Sequence, residues 1–170
     1  MKFILSDKIT KIEPGSRIET VKNVSLAEEY LQDHFPAFPI LPGVLMIESL
    51  TQAAAWLLRV EQKFSKSVIL LRKAQNTKYA SFVAPGNTLR VEVDAVSMGD
   101  DVSKFKGAGY VGDKLAVSGK FELVSFNTGE RPELHAPKES DEEIIKDMKK
   151  RFALIRGPEA LEEAGLSWPL

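Results

Sequence analysis

The chain has no cysteine among its 170 residues, which removes disulfides, thiolate metal sites and cysteine nucleophiles and fits a reducing compartment. It has no excess of charge either: 23 Lys and Arg stand against 24 Asp and Glu, a net charge of −1. There is thus no global attraction to nucleic acid or to an anionic membrane surface, and any partner must be recognised locally. A signal-peptide core is lacking, because the first apolar run is only Phe3, Ile4 and Leu5, closed by Ser6 and Asp7. The expected location is cytoplasmic. Internal repeats and low-complexity stretches are absent, and histidine occurs only at positions 34 and 135. What is there, 44% hydrophobic and 28% charged residues, is ordinary for one soluble domain with a sizeable core.

The chain is organised around His34 to Trp56, HFPAFPILPGVLMIESLTQAAAW. Pro36, Pro39 and Pro42 recur every third residue, each fixing its own torsion and pushing its predecessor towards an extended conformation, so a stiff loop is expected. From Gly43 to Leu58 the only polar side chains are Glu48, Ser49, Thr51 and Gln52. A helix so apolar on nearly all sides is expected to be surrounded by protein, with Glu48 on it. That helix would be roughly 24 Å long and carries an acid, against the roughly 30 Å of a bilayer's hydrocarbon core, which argues against membrane insertion.

Around this core the pattern is mostly that of strands. Phe3–Leu5 and Ile18–Val24 read as extended pieces about a Pro14-Gly15 turn. Ser25 and Glu28 have capping-box spacing before a helical turn or two. Arg59–Ser67 reads as a polar exit from the central helix, Val68–Leu71 as a buried strand and Lys78–Val83 as another strand. Leu89, Val91 and Val93 alternate with charged residues, as in a strand with one wet face. Val102–Val111 and Leu115–Phe126 flank Gly112-Asp113, a two-residue hairpin signal. The expected fold class is α+β: one long helix with about six strands, the second half an antiparallel meander. After a linker bracketed by Pro132 and Pro137, Ser140-Asp141-Glu142-Glu143 should cap an amphipathic helix with the stripe Ile144, Ile145, Met148 and Phe152, ended by Gly157-Pro158. The domain division expected is 1–130 for the core and 131–170 for an extension. His135 reads as a surface residue.

Four groups of the central stretch suit proton transfer beside a carbonyl. His34 can be a neutral base at physiological pH. Glu48, in apolar surroundings, should have a raised pKa and remain protonated as an acid. The Gly43 and Val44 amides, at a helix N-terminus, can hold an oxyanion, and Gly43 has no side chain to obstruct a carbonyl. Each group also has a structural reading: a lone histidine is often a hydrogen-bonding residue, Gln52 can be a structural partner of Glu48 one turn away, and Met46 and Trp56 are best taken as core.

The run HFPAFPILPGVLMIESLTQ, His34 to Gln52, resembles the signature of the β-hydroxyacyl-acyl-carrier-protein dehydratases of bacterial type II fatty-acid synthesis. The similarity extends to FILSDKI (3–9), VKNVS (21–25), APGNTL (84–89) and SKFKGAGYVGDKLA (103–116). The resemblance implies a hotdog fold, a long helix wrapped by a curved antiparallel sheet, in a homodimer or a trimer of such dimers. It makes His34 and Glu48 the catalytic pair, drawn from different subunits, and Gly43 a ligand of the thioester carbonyl. It implies no metal or redox cofactor, and an acyl carrier protein as partner, for which Arg72, Lys73, Lys78 and Lys104 are candidate contacts. Glu48, where the related dehydratase-isomerases carry aspartate, favours simple dehydration. Ala37 and Ser49 depart from the family's usual glycine and alanine, and residues from about 132 onward have no counterpart. A hotdog thioesterase and a non-catalytic acyl-binding protein remain the alternatives.

Overall fold

The computed structural model describes residues 3–35, 37–135, 137 and 139–168. Pro36, the first of the three loop prolines, lies outside them. Six strands, β1 (Lys8–Glu13), β2 (Arg17–Asn23), β3 (Val68–Tyr79), β4 (Thr88–Ser97), β5 (Val102–Val111) and β6 (Lys114–Phe126), form one antiparallel sheet in the order β1-β2-β4-β5-β6-β3. Helix α1 (Tyr30–Asp33) precedes the proline loop, and α2 (Gly43–Glu61) lies against β2, β4, β5 and β6. The curved sheet wraps this helix, as expected of the hotdog architecture.

The core is the contact between α2 and the inner face of the sheet. Leu50, Ala53, Ala54 and Leu57 meet Ile18, Leu89, Val91, Val93 and Leu123, all fully buried. The period-two reading of β4 holds, since Leu89, Val91 and Val93 are its buried side, and Gly112-Asp113 links β5 to β6 as the hairpin signal indicates. The first strand escaped the pattern: Ile9 and Ile12 are both buried although three residues apart. The pairing with β2 shifts between Ile9 and Lys11, and that bulge places both isoleucines inward while breaking the alternation.

Other expectations are corrected. Ser25 and Glu28 form no capping box: Ser25 Oγ accepts from Ala27 N–H at 3.2 Å, and Glu28 instead takes Lys22 Nζ at 2.6 Å, so α1 starts only at Tyr30. Val68–Leu71 and Lys78–Tyr79 belong to one strand, β3, with Ala80–Val83 outside it. That strand is not buried. It is the last in the sheet, with Leu70 52% and Leu71 39% exposed. Nor is α2 enclosed on all sides, for Val44 is 71% exposed.

The C-terminal segment is built onto the core. Helix α3 (Ser140–Leu154) begins at Ser140 itself, with Glu139 before it and no side-chain cap. Asp141 serves another purpose: its carboxylate accepts from the Thr128 and Gly129 amides at 2.8 and 2.9 Å, and from the Ser67 and Thr128 hydroxyls, tying α3 to the residues just after β6. Phe152 is fully buried between Trp56 and Phe64, with ring centroids 5.8 and 5.5 Å away. Gly157-Pro158 does not close the segment but opens a second helix, α4 (Gly157–Glu163), after Arg156 has turned the chain with φ 67°. Proline in the first turn of a helix costs no internal bond, which is why a stop signal here acts as a start. A Cβ on Gly157 would stand 2.5 Å from the Phe152 ring, so only glycine allows α4 to begin against it. Ile9 N–H donates to Ile155 O at 2.8 Å.

Partial burial alone would raise the Asp141 pKa, but the hydrogen bonds from Ser67, Gly129 and Thr128 outweigh it and hold the carboxyl well below its usual range. A carboxyl with a depressed folded-state pKa contributes stability that is complete above its unfolded value, about 3.9, and lost as pH falls through the folded value. Asp141→Asn should therefore lower the melting temperature by roughly 4–8 °C at pH 7, corresponding to about 2 kcal/mol for charged hydrogen bonds. The gap between wild type and variant should narrow below about pH 4. A gap that is constant from pH 7 to pH 3 in thermal melts would show that the charge has no part in it.

Candidate active site

The loop between α1 and α2 sets His34. His34 is extended (φ −112°, ψ 105°), and Phe35 follows in the left-handed region at φ 50°, which a bulky residue adopts only under constraint. The constraint comes from a turn in which Phe38 N–H donates to Phe35 O, from Leu41 N–H donating to Val83 O, and from the edge-on contact of Phe38 with Phe82 at 5.8 Å. The half-buried imidazole lies 4.4 Å from the Phe35 ring, centroid to centroid. It borders a cavity of about 430 Å³ whose walls include Gly43, Met46, Tyr79 and Phe82.

Gly43 and Val44 open α2. Leu45 and Met46 N–H both donate to Pro42 O, at 2.9 and 3.1 Å, which leaves the Gly43 and Val44 amides ahead of the first helical bonds and directed out of the helix end. Gly43 shares the His34 cavity. A Cβ there would lie 3.0 Å from the Tyr79 ring, so the missing side chain lets that ring close over the helix start. Val44 is not part of that wall.

Glu48 is elsewhere. Helical residues advance about 100° each, which puts Glu48 about 200° round the axis from Met46, away from the His34 cavity. Its surroundings are not apolar, contrary to the expectation from the flanking residues. Glu48 Oε1 accepts from Gln52 Nε2 at 2.9 Å, and Gln52 accepts from Leu5 N–H at 2.9 Å and donates to Phe3 O at 3.1 Å. The expected Gln52 partnership is therefore present, and the N-terminal segment orients the acid through it. Glu48 lines a second cavity of about 170 Å³, together with Arg59 and Arg151. Within one chain, then, His34 and Gly43 come together and Glu48 does not join them. Met46 is both: 3% exposed, and in the wall of the His34 cavity. His135 is exposed, as expected.

Arg59 went unnoticed in the sequence as the first residue of a polar exit, whereas α2 continues to Glu61 and Arg59 is 9% exposed. The signal was its position: Glu48, Gln52, Ala55 and Arg59 fall on one helical stripe.

A FabA-like domain model matches residues 1–120. The 3-hydroxyacyl-acyl-carrier-protein dehydratase FabZ of Symbiobacterium thermophilum is 39% identical over 130 residues, 75% of this chain and 92% of that protein. The chain belongs to the FabA-like dehydratase family. A second FabZ, from Clostridium kluyveri, is 36% identical over 122 residues, 72% of this chain and 85% of the relative. Among solved structures, the dehydratase heterocomplex ApeI:P from Xenorhabdus doucetiae superposes with a TM-score of 0.65 at 18% identity, covering 79% of this chain and 90% of that one. Streptococcus mutans smu.793 bound to acetyl CoA gives 0.56 at 11%, covering 75% and 94%. At these identities the structures show the shared hotdog fold. The FabA-like match stops short of α3 and α4.

Proposed function

We propose that this protein dehydrates a β-hydroxyacyl thioester carried on acyl carrier protein to the trans-2-enoyl thioester, as its FabZ relatives are named for doing. The observation that supports the reading is that His34 and Gly43, whose amide is free at a helix start, border one cavity. With the thioester carbonyl on the Gly43 and Val44 amides, the α-C–H is acidified and His34 removes that proton. The electron pair forms the α,β double bond as the β-C–O bond breaks, and Glu48 orients the departing hydroxyl and supplies the proton that makes it water. No metal or redox cofactor enters this balance.

Because Glu48 faces away from its own His34, each site takes His34 from one subunit and Glu48 from the partner. What supports a homodimer is the open Val44–Glu48 side of α2 and the exposed Leu70 and Leu71 on β3, the last strand of the sheet. A trimer of such dimers is compatible with it. Arg72, Lys73, Lys78 and Lys104 are exposed, and they are the proposed contacts for the acidic carrier. The division into residues 1–130 and an extension of 131–170, and a place in the cytoplasm, belong to the same proposal. Among the described residues no helix is long and apolar enough to cross a membrane.

The test is incubation with β-hydroxyacyl thioesters of several lengths, following enoyl absorbance and free thiol together. Enoyl absorbance without thiol is expected. Thiol without enoyl would make the protein a thioesterase, and neither product would leave it an acyl-binding protein.

A further inference from the structure

The cavity behind Glu48 is unlike a hydrocarbon channel at its far end. Its walls are apolar along Ile4, Ala55, Ile69 and Met148, but it ends on Arg59 and Arg151. Arg59 comes from α2 and is 9% exposed, and Arg151 comes from α3, the helix outside the family match. The Trp56 ring covers one face of the Arg59 guanidinium, 5.3 Å from its carbon, and leaves the N–H edge to other partners. Six buried side-chain polar atoms lack a hydrogen-bond partner among the described residues. Three of them, Arg59 Nε, Ser6 Oγ and Thr51 Oγ1, belong to residues lining this one cavity. Buried charged groups are normally paired, so the unpartnered Arg59 in this wall calls for an anion. Burial first, and the Arg151 charge second, pull the Arg59 guanidinium down to about 10, which leaves it a cation at neutral pH. Among the described residues Arg151 is the charged group that acts on it, and Glu48, the acid in the cavity wall, is held by Gln52.

We propose that this cavity binds the carboxylate at the far end of the acyl chain, so that the preferred substrates are β-hydroxyacyl thioesters ending in a carboxyl group. This rests on the dehydratase reading, which puts the β-carbon beside Glu48. From Glu48 to Arg59 is eleven residues of helix, about 16 Å along the axis, and the cavity follows that stripe. A chain whose hydroxyl lies at Glu48 therefore points its other end towards Arg59. A methyl group there would leave the buried Arg59 guanidinium unpaired, whereas a carboxylate accepts from its outer N–H groups, with the half-buried Arg151 beside it. The C-terminal helices then have a purpose, since α3 supplies both Arg151 and Met148.

The experiment compares N-acetylcysteamine thioesters of β-hydroxy acids in pairs of equal length, one ending in methyl and one in carboxylate, with the full chain. For wild type, the ratio of kcat/KM, carboxylate over methyl, should reach at least about tenfold at one length, the scale of charge-assisted hydrogen bonds. It should fall to one or below in Arg59→Met and drop clearly in Arg151→Gln, whose position is only half-buried and tolerates exchange. A wild-type ratio of one or less at every length overturns the proposal. Calorimetry with adipate separates this from failure of the dehydratase reading. If no thioester is dehydrated, adipate binding by wild type that is lost in Arg151→Gln and Arg59→Met upholds the site while the reaction falls. Adipate that binds all three alike, or none, overturns the site. Arg-dependent adipate binding together with a flat chain preference assigns the cavity to a free anion and overturns the chain-end assignment.

Discussion

On the proposed shared site, the His34→Ala and Glu48→Gln proteins should each keep the fold and lose at least about a hundredfold in turnover, the range of a positioned acid or base. Refolded together in equal amounts, they should regain about a quarter of wild-type activity. The recovery follows from where α2 places its side chains. Gly43 and Met46 face the His34 cavity while Glu48 lines another, so a site complete in both groups must borrow one. A mixed dimer then holds one site with both lesions and one wholly intact. Random association makes about half of all dimers mixed, each with one working site of two. With subunit exchange verified by mass, a mixture as inactive as its parents would mean that both groups come from one chain.

Phe152→Ala should be the most damaging single change outside the site, costing about 3–5 kcal/mol. For a chain of this length that corresponds to a fall of roughly 6–20 °C in melting temperature. The ring is fully buried, meets Trp56, Phe64 and Trp168, and closes against Gly157. Trp56 in turn covers Arg59, so the same variant should disturb the end of the cavity as well as the docking of α3. An unchanged melting temperature would show that α3 and α4 do not dock as described.

The contrast between what the sequence discloses and what it hides has physical causes. The β5–β6 hairpin was legible because Gly112-Asp113 is a strong local signal, and β4 because its alternation is unbroken. β1 was not, because its bulge puts Ile9 and Ile12 on one side and its lysines suggest a loop. The capping boxes failed because spacing alone does not say which partner a carboxylate takes. Glu28 is claimed by Lys22, and Ser140 is already the first helical residue, with Glu139 in the cap position. The nearness of His34 and Gly43 was legible from their order in one stretch, whereas Glu48, in the same stretch, lines another cavity. Arg59 was hidden because Arg151, which lines the same cavity, lies 92 residues further on.

The bond from Ile9 to the Ile155 carbonyl bears on how far assembly can go. A sheet with two bare borders can add copies at both and grow without limit, whereas here the β1 border already has a guest from the same chain, with α4 lying over it. Among the described residues, the β3 border is the one left bare for a neighbour. Once two copies have met there, neither has a second border to offer, and by this route the particle is finite: the C-terminal segment acts as a terminator as well as a wall.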